Sequence, residues 1–271
     1  MSFRIIPVGS CRIWNPLSAA QPTYGYKIDR TRYLGFTHTS AGALQQVRFT
    51  FGEIDIPQHM MRFMIHTDPQ VIPRDGPMET IPDLAIIEIS SAKQFELDGF
   101  EIQINCMQRE FESFFADQKR KNNFIRVIRT RDQNEIDRFL RETWSQTDEQ
   151  TEDVQILRRI RLHMTTEEDL RRDVRALMSR FPESLFVTHV DALGRNGDRV
   201  PLRDQLISLL SRIVQEEGGL VYNPTPRMLE MGQPLAMPQD ENHFSQDFGA
   251  ILVKDWHDLI IGSLMEHKAA S

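Results

Sequence analysis

Five short apolar runs, each closed by turn residues, recur along the chain: Phe3–Val8, Tyr33–Thr37, Leu84–Ile89, Leu185–Val190 and Leu220–Tyr222. Runs of this length without polar alternation are the pattern of strands buried on both faces of a parallel sheet. Segments with helical spacing separate them, beginning with Ala41–Phe51 and Pro57–Ile65. Further on, Thr165 with Glu168 predicts a capping box ahead of Leu170, Val174, Leu177 and Met178. Pro201 is expected to open a helix carrying Leu202, Leu206, Leu209, Leu210 and Ile213, stopped by Gly218-Gly219. A last helix is expected from about Ser245 to Met265. Strands alternating with helices predict a three-layer α/β/α, flavodoxin-like domain. Its parallel sheet should have about five strands in the order 2-1-3-4-5.

One stretch breaks this rhythm. Gln94 to Asn105, QFELDGFEIQIN, reads as a hairpin turning at Asp98-Gly99. From Cys106 to about Arg161 the pattern is helical and charged, interrupted by the acidic run Ser145–Asp153. We expect one domain over residues 1–271 with a mostly helical insertion or cap at about 106–161. Phe111, Phe114 and Phe115 are expected as core or as a subunit contact, so a homo-oligomer through the insertion is one outcome. The basic stretch Lys119–Arg131 is expected as a solvated helix face.

Composition narrows the function classes. A net charge of −7 argues against a general nucleic-acid binder, which needs a basic face. Two cysteines, Cys11 and Cys106, make no disulfide framework. With neither a leader-like start nor a run of about 18 apolar residues, the chain is expected to be cytoplasmic, without a membrane span. His38, His59, His66, His163 and His257 show no paired ligand spacing, so neither a metal nor another cofactor is expected.

The candidate chemistry lies near the two chain ends. Gly9-Ser10-Cys11 follows the first strand directly, which puts Ser10 at the carboxyl edge of the sheet where ligands bind. The glycine is expected there for a tight turn. Asp240-Glu-Asn-His243 precedes the last helix, and an aspartate three residues before a histidine can orient the imidazole. The free ring nitrogen is then able to accept a proton from a nucleophile.

Together these pieces resemble the SGNH hydrolase superfamily, whose nucleophilic serine follows the first strand and whose Asp-x-x-His precedes the final helix. Within it the chain looks most like the GSCFA family, although Arg12 and Ile13 stand where that motif has Phe-Ala. LFVTHVDALGR, PLRDQLISLLSRIV, VYNPTPRMLE and DENHFS extend the likeness over most of the chain outside 106–161.

The resemblance implies a Ser10–His243–Asp240 triad acting on a small-molecule or glycan acyl ester. It also implies that Ser10 attacks while Cys11 packs behind it; a thiol nucleophile at Cys11 is the competing reading. Gly42 occupies the expected place of the oxyanion glycine. The usual Gly-x-Asn after the third strand is missing, and Ser90 or Ser91 is the expected substitute. Glu88 is either a functional buried acid or the partner of an arginine such as Arg12, and His189 is a substrate contact or a core histidine. Two alternatives stand beside the esterase. One is a polysaccharide O-acetyltransferase using the same site; the other is a non-catalytic saccharide-binding or assembly protein with a degraded oxyanion hole.

Overall fold

The computed structural model describes residues 2–65, 76–144, 151–194 and 196–270. His66 and positions 145–150 of the acidic run therefore lie outside the described residues. In chain order the first elements are β1 (Arg4–Val8), α1 (Cys11–Tyr24), β2 (Lys27–Ile28), α2 (Ser40–Thr50), α3 (Gln58–Met61) and β3 (Leu84–Ile89). There follow β4 (Lys93–Leu97), β5 (Phe100–Ile102), α4 (Ile104–Glu110), α5 (Glu112–Phe115), α6 (Gln118–Thr130), α7 (Gln133–Thr143), α8 (Thr151–Leu157) and β6 (Arg161–Met164). The chain continues through α9 (Glu167–Arg180), β7 (Ser184–Thr188), α10 (Arg203–Glu216), β8 (Leu220–Tyr222), α11 (Thr225–Met231) and α12 (Gln233–Ala236). It ends in α13 (Gln246–Trp256), a π-turn over His257–Ile261 and α14 (Gly262–Ala270).

Contacts divide the chain into two compact units, one of Met1–Glu53, Pro73–Ala92 and Thr166–Ser271, the other of Ile54–Ile72 and Lys93–Thr165. The first unit holds a parallel sheet in the order β2-β1-β3-β7-β8. Side chains alternate across it as the two-residue strand period requires. Ile5 of β1 and Leu84 and Ile86 of β3 enter a core with Ile13 and Leu17 of α1 and Phe248, Leu252 and Trp256 of α13. Their neighbours Ile6, Val8, Ala85, Ile87 and Ile89 enter the opposite core with Val47 of α2, Leu170 and Val174 of α9 and Leu210 and Ile213 of α10. Helices thus cover both faces, and the three-layer architecture holds.

The second strand is a correction. The expected run Tyr33–Thr37 is a partly buried loop, and β2 is the short Lys27–Ile28. The apolar side chains of that loop serve packing, not a ladder: the Tyr33 ring sits 4.2 Å from that of Trp14, and Gly35 has φ 141°. The Leu34 N–H goes to Gln46 Oε1 at 2.9 Å, a side-chain partner where a strand would offer a carbonyl. The capping box also shifts by one residue, to Thr166 with Asp169, because Thr165-Thr166-Glu-Glu-Asp offers both registers. The last helix is longer than expected and passes through the π-turn.

In the second unit β4 pairs antiparallel with β5 and β6. Asp98 and Gly99, at φ 53° and 84°, form the expected turn. Phe114 is fully buried, with its ring edge-on to Phe115, Phe124 and Trp144. Among the described residues no helix is long and apolar enough to cross a membrane.

Candidate active site

The end of β1 is shaped by close packing. A Cβ on Gly9 would stand 2.6 Å from Glu88 Cβ and 2.8 Å from Ile13 Cδ1, so no larger residue fits. Its φ is not in the left-handed region, so close approach, and not the tight turn, demands the glycine.

Ser10 then caps α1, with its Oγ accepting the Arg12 N–H at 3.2 Å. The hydroxyl donates to Glu88 Oε2 at 2.5 Å, and the Ser10 N–H donates to the same oxygen at 2.8 Å. Arg12 Nε holds the other oxygen, Oε1, at 2.5 Å. Exposure is 0% for Ser10, 1% for Glu88 and 6% for Arg12, so this charged knot is closed to solvent and mutually satisfied. Of the two expected readings of Glu88, the pairing with Arg12 is the one seen, and the same carboxylate also holds Ser10.

The loop before α13 comes to the same edge. Arg12 Nη1 donates to the Asn242 carbonyl at 3.1 Å across 230 positions of sequence. Arg203, at the start of α10, donates to the Glu241 carbonyl and to Asn242 Oδ1, each at 3.1 Å. Burial and the nearby charge of Arg12 lower the Arg203 pKa. Two arginines therefore clamp the loop, whose turn is completed by Asp240 Oδ1 accepting the N–H groups of Asn242 and His243 at 2.7 and 2.9 Å.

Beyond the turn, His243 Nδ1 lies 2.8 Å from Asp240 Oδ2. A carboxylate acceptor keeps the proton on Nδ1 and leaves the Nε2 lone pair free. Burial pushes the Asp240 carboxyl up, but hydrogen bonds from His243 and Asn242 outweigh it and hold the group below its ordinary value. The His243 side chain is 55% exposed.

His243 lines a cleft of about 640 Å³ between α1 and the start of α13, together with Cys11, Arg12, Asn15, Tyr24 and Gln246. Cys11 is half-buried there, and burial raises its thiol pKa above the usual value despite the opposing charge of Arg12. Ser10 is not among the lining residues.

The expected oxyanion donors have other partners. Gly42 N–H donates to Thr39 Oγ1 at 3.0 Å as part of the α2 cap. An N–H carries one proton, so neither Gly42 nor Ser10 offers its main-chain donor in this arrangement. Ser90 and Ser91 both donate their N–H groups to the His38 carbonyl at 2.8 Å, and Ser90 Oγ lies 3.4 Å from His38 Nδ1. His189 is buried at 3% exposure with Nδ1 3.0 Å from the Val190 carbonyl. Burial, then the charges of Arg12 and Arg203, hold it well below the usual histidine value and therefore neutral. Among the described residues no group of three or more His, Cys, Asp or Glu side chains is placed to hold a metal.

Residues 3–259 match the model of the TviD N-terminal domain family. The chain belongs to this family. It is 30% identical over 270 residues to the Vi polysaccharide biosynthesis protein TviD of Salmonella typhi, a match covering 98% of this chain and 32% of that protein. The chain thus spans about a third of the length of the curated relative it matches. Among solved structures it is similar to two catalytic mutants of an acetylxylan esterase from Geobacillus stearothermophilus. These are 14% and 13% identical, with TM-scores of 0.40 and coverage of 95% of this chain and 94% of each structure. A likeness of that size carries no weight for what the chain does.

In this member of the TviD N-terminal domain family, three residues at the site were missed by sequence reasoning. Arg203 and Asn242 belong to the loop clamp, and an arginine at the start of a helix beside a strand end was the available signal. Tyr33 was hidden by its assignment to a strand. Its hydroxyl is buried without a hydrogen-bond partner, as is that of Thr37, whose N–H donates to the Gly9 carbonyl at 3.1 Å.

Proposed function

We propose that this chain is an acyl-transferring enzyme that acts on an acyl ester in a carbohydrate setting, either by hydrolysis or by O-acetylation. His243 is the general base and Asp240 its orienting carboxylate, and the acyl group is carried on the Gly9-Ser10-Cys11 turn. The observation that carries the reading is the imidazole fixed through Nδ1 on the wall of a cleft that also opens on the first turn of α1. The motif likeness to SGNH and GSCFA proteins supports acyl chemistry at this edge, and in that pattern the attacking atom is the Ser10 hydroxyl. The relative's place in polysaccharide biosynthesis supports a sugar as acyl acceptor or acyl carrier.

The test is turnover of p-nitrophenyl acetate, acetylated oligosaccharides, and acetyl-CoA with glycan acceptors, by wild type and His243→Ala. Loss of about 10²–10⁴ in rate with His243→Ala is expected. Equal rates for the two proteins would remove the reading.

A second reading is a saccharide-binding or assembly protein without turnover. It is favoured by the Ser10 and Gly42 N–H groups being engaged internally. Glycan binding by both proteins, with no turnover of any ester, would be its signature.

A further inference from the structure

Ser10 and Cys11 are neighbours in sequence but opposite in environment. The serine is sealed: fully buried, used as the cap of α1, its single hydroxyl proton directed at Glu88, its oxygen accepting from Arg12. To attack a substrate it would have to leave a carboxylate, abandon a helix cap and emerge from the interior. The cysteine, one residue later, is already on the cleft wall that His243 shares.

We infer that Cys11 is the nucleophile, with His243 and Asp240 completing a cysteine–histidine–aspartate relay, and that Ser10 is a positioning residue beneath it. This rests on the acyl-transfer reading above and names the atom that performs it.

Burial keeps the Cys11 proton on at rest, which by itself works against attack, so this nucleophile needs a base; His243, which lines the same cleft, is the base assigned to it. Cys11 begins the 14-residue α1, so the positive end of the helix dipole lies under the sulfur as negative charge develops. The buried, unpartnered hydroxyls of Tyr33 and Thr37 lie on the loop bonded to Gly9. Burial, and next the closeness of Cys11, drive the Tyr33 phenol pKa upward. That phenol therefore keeps its proton close to the thiol.

The steps balance without an outside oxidant or reductant. The Cys11 thiol proton passes to His243, sulfur bonds to the acyl carbon, and the bond to the leaving oxygen or sulfur breaks. That leaving group takes the proton back from His243. Water or a sugar hydroxyl then gives its proton to His243 and attacks the thioester carbon. The carbon–sulfur bond breaks, and the returning proton restores the thiol.

The experiment is mass-spectrometric mapping of the acetyl adduct in acid-quenched full-length protein after exposure to p-nitrophenyl acetate or acetyl-CoA. Wild type and Ser10→Ala should both carry acetyl on Cys11, removable by neutral hydroxylamine as a thioester. Cys11→Ala should carry none and lose turnover by at least about 10²-fold. Iodoacetamide on native wild type should stop turnover by modifying Cys11, with fully buried Cys106 left unreacted, so the conclusion does not depend on a variant that folds. An acetyl group on Ser10 that resists neutral hydroxylamine, or Cys11→Ala with unchanged turnover, overturns the inference and leaves acyl transfer standing. Wild type with neither adduct nor turnover for either donor overturns both.

Discussion

The polar groups beneath the cleft and those on its wall are built in opposite ways. Beneath it, Ser10 and Glu88 are buried and fully paired, with Arg12 reaching from Glu88 to the cleft lining, held by distances of 2.5–3.2 Å. On the wall, the Asp240–His243 pair is a local turn with a half-exposed ring and one unpartnered nitrogen. A buried ion pair is costly to break because the surviving charge is left without water or partner. An exposed dyad adds little to stability and leaves its free nitrogen available for proton transfer. The contrast separates a buried support from the pair proposed to move protons, with Arg12 joining the two through the Asn242 carbonyl.

Substitutions on either side should expose this division. His243→Ala should have the largest effect and only on rate: ~10²–10⁴ in turnover, with the urea midpoint nearly unmoved. Glu88→Ala should do the reverse, costing ~3–5 kcal/mol in chemical denaturation by leaving Arg12 buried without its carboxylate. If it leaves the midpoint unchanged, the knot is not a support. Ser10→Ala should cost ~1–2 kcal/mol through the lost helix cap, measured in the same titration.

The smallest effect concerns pH. His189 is held neutral, with its folded-state pKa below the unfolded value of about 6.5. Its contribution is therefore complete above about pH 6.5 and declines as pH falls towards the folded value, because the unfolded chain then binds the extra proton. His189→Gln should flatten that part of the stability–pH curve. An unchanged slope would show that the histidine is not linked to folding.

Much of this architecture is written locally. The runs at β1, β3 and β7 were legible because a strand covered on both faces is apolar at most positions, and β8 carries the same residue types at the partly exposed sheet edge. The hairpin at Asp98-Gly99 was legible because positive φ selects those residues. Tyr33–Thr37 was misread for the same reason that the others were read correctly. An apolar run reports burial, and burial in a loop against Trp14 looks the same in sequence as burial in a sheet.

At the site, sequence by itself determined which groups are present. A serine and a cysteine follow the first strand, an Asp-x-x-His precedes the last helix, and Glu88 ends the central strand. Only the tertiary structure decided which of the adjacent Ser10 and Cys11 turns inward. The helix cap requires the first of them, and Glu88, 78 positions away, takes that hydroxyl from below. Likewise, only packing across 230 positions placed the Asn242 carbonyl on Arg12 and brought His243 to the cleft. Hydrogen-bond partners that distant leave no periodic trace in a sequence, because they depend on sheet order and not on spacing along the chain.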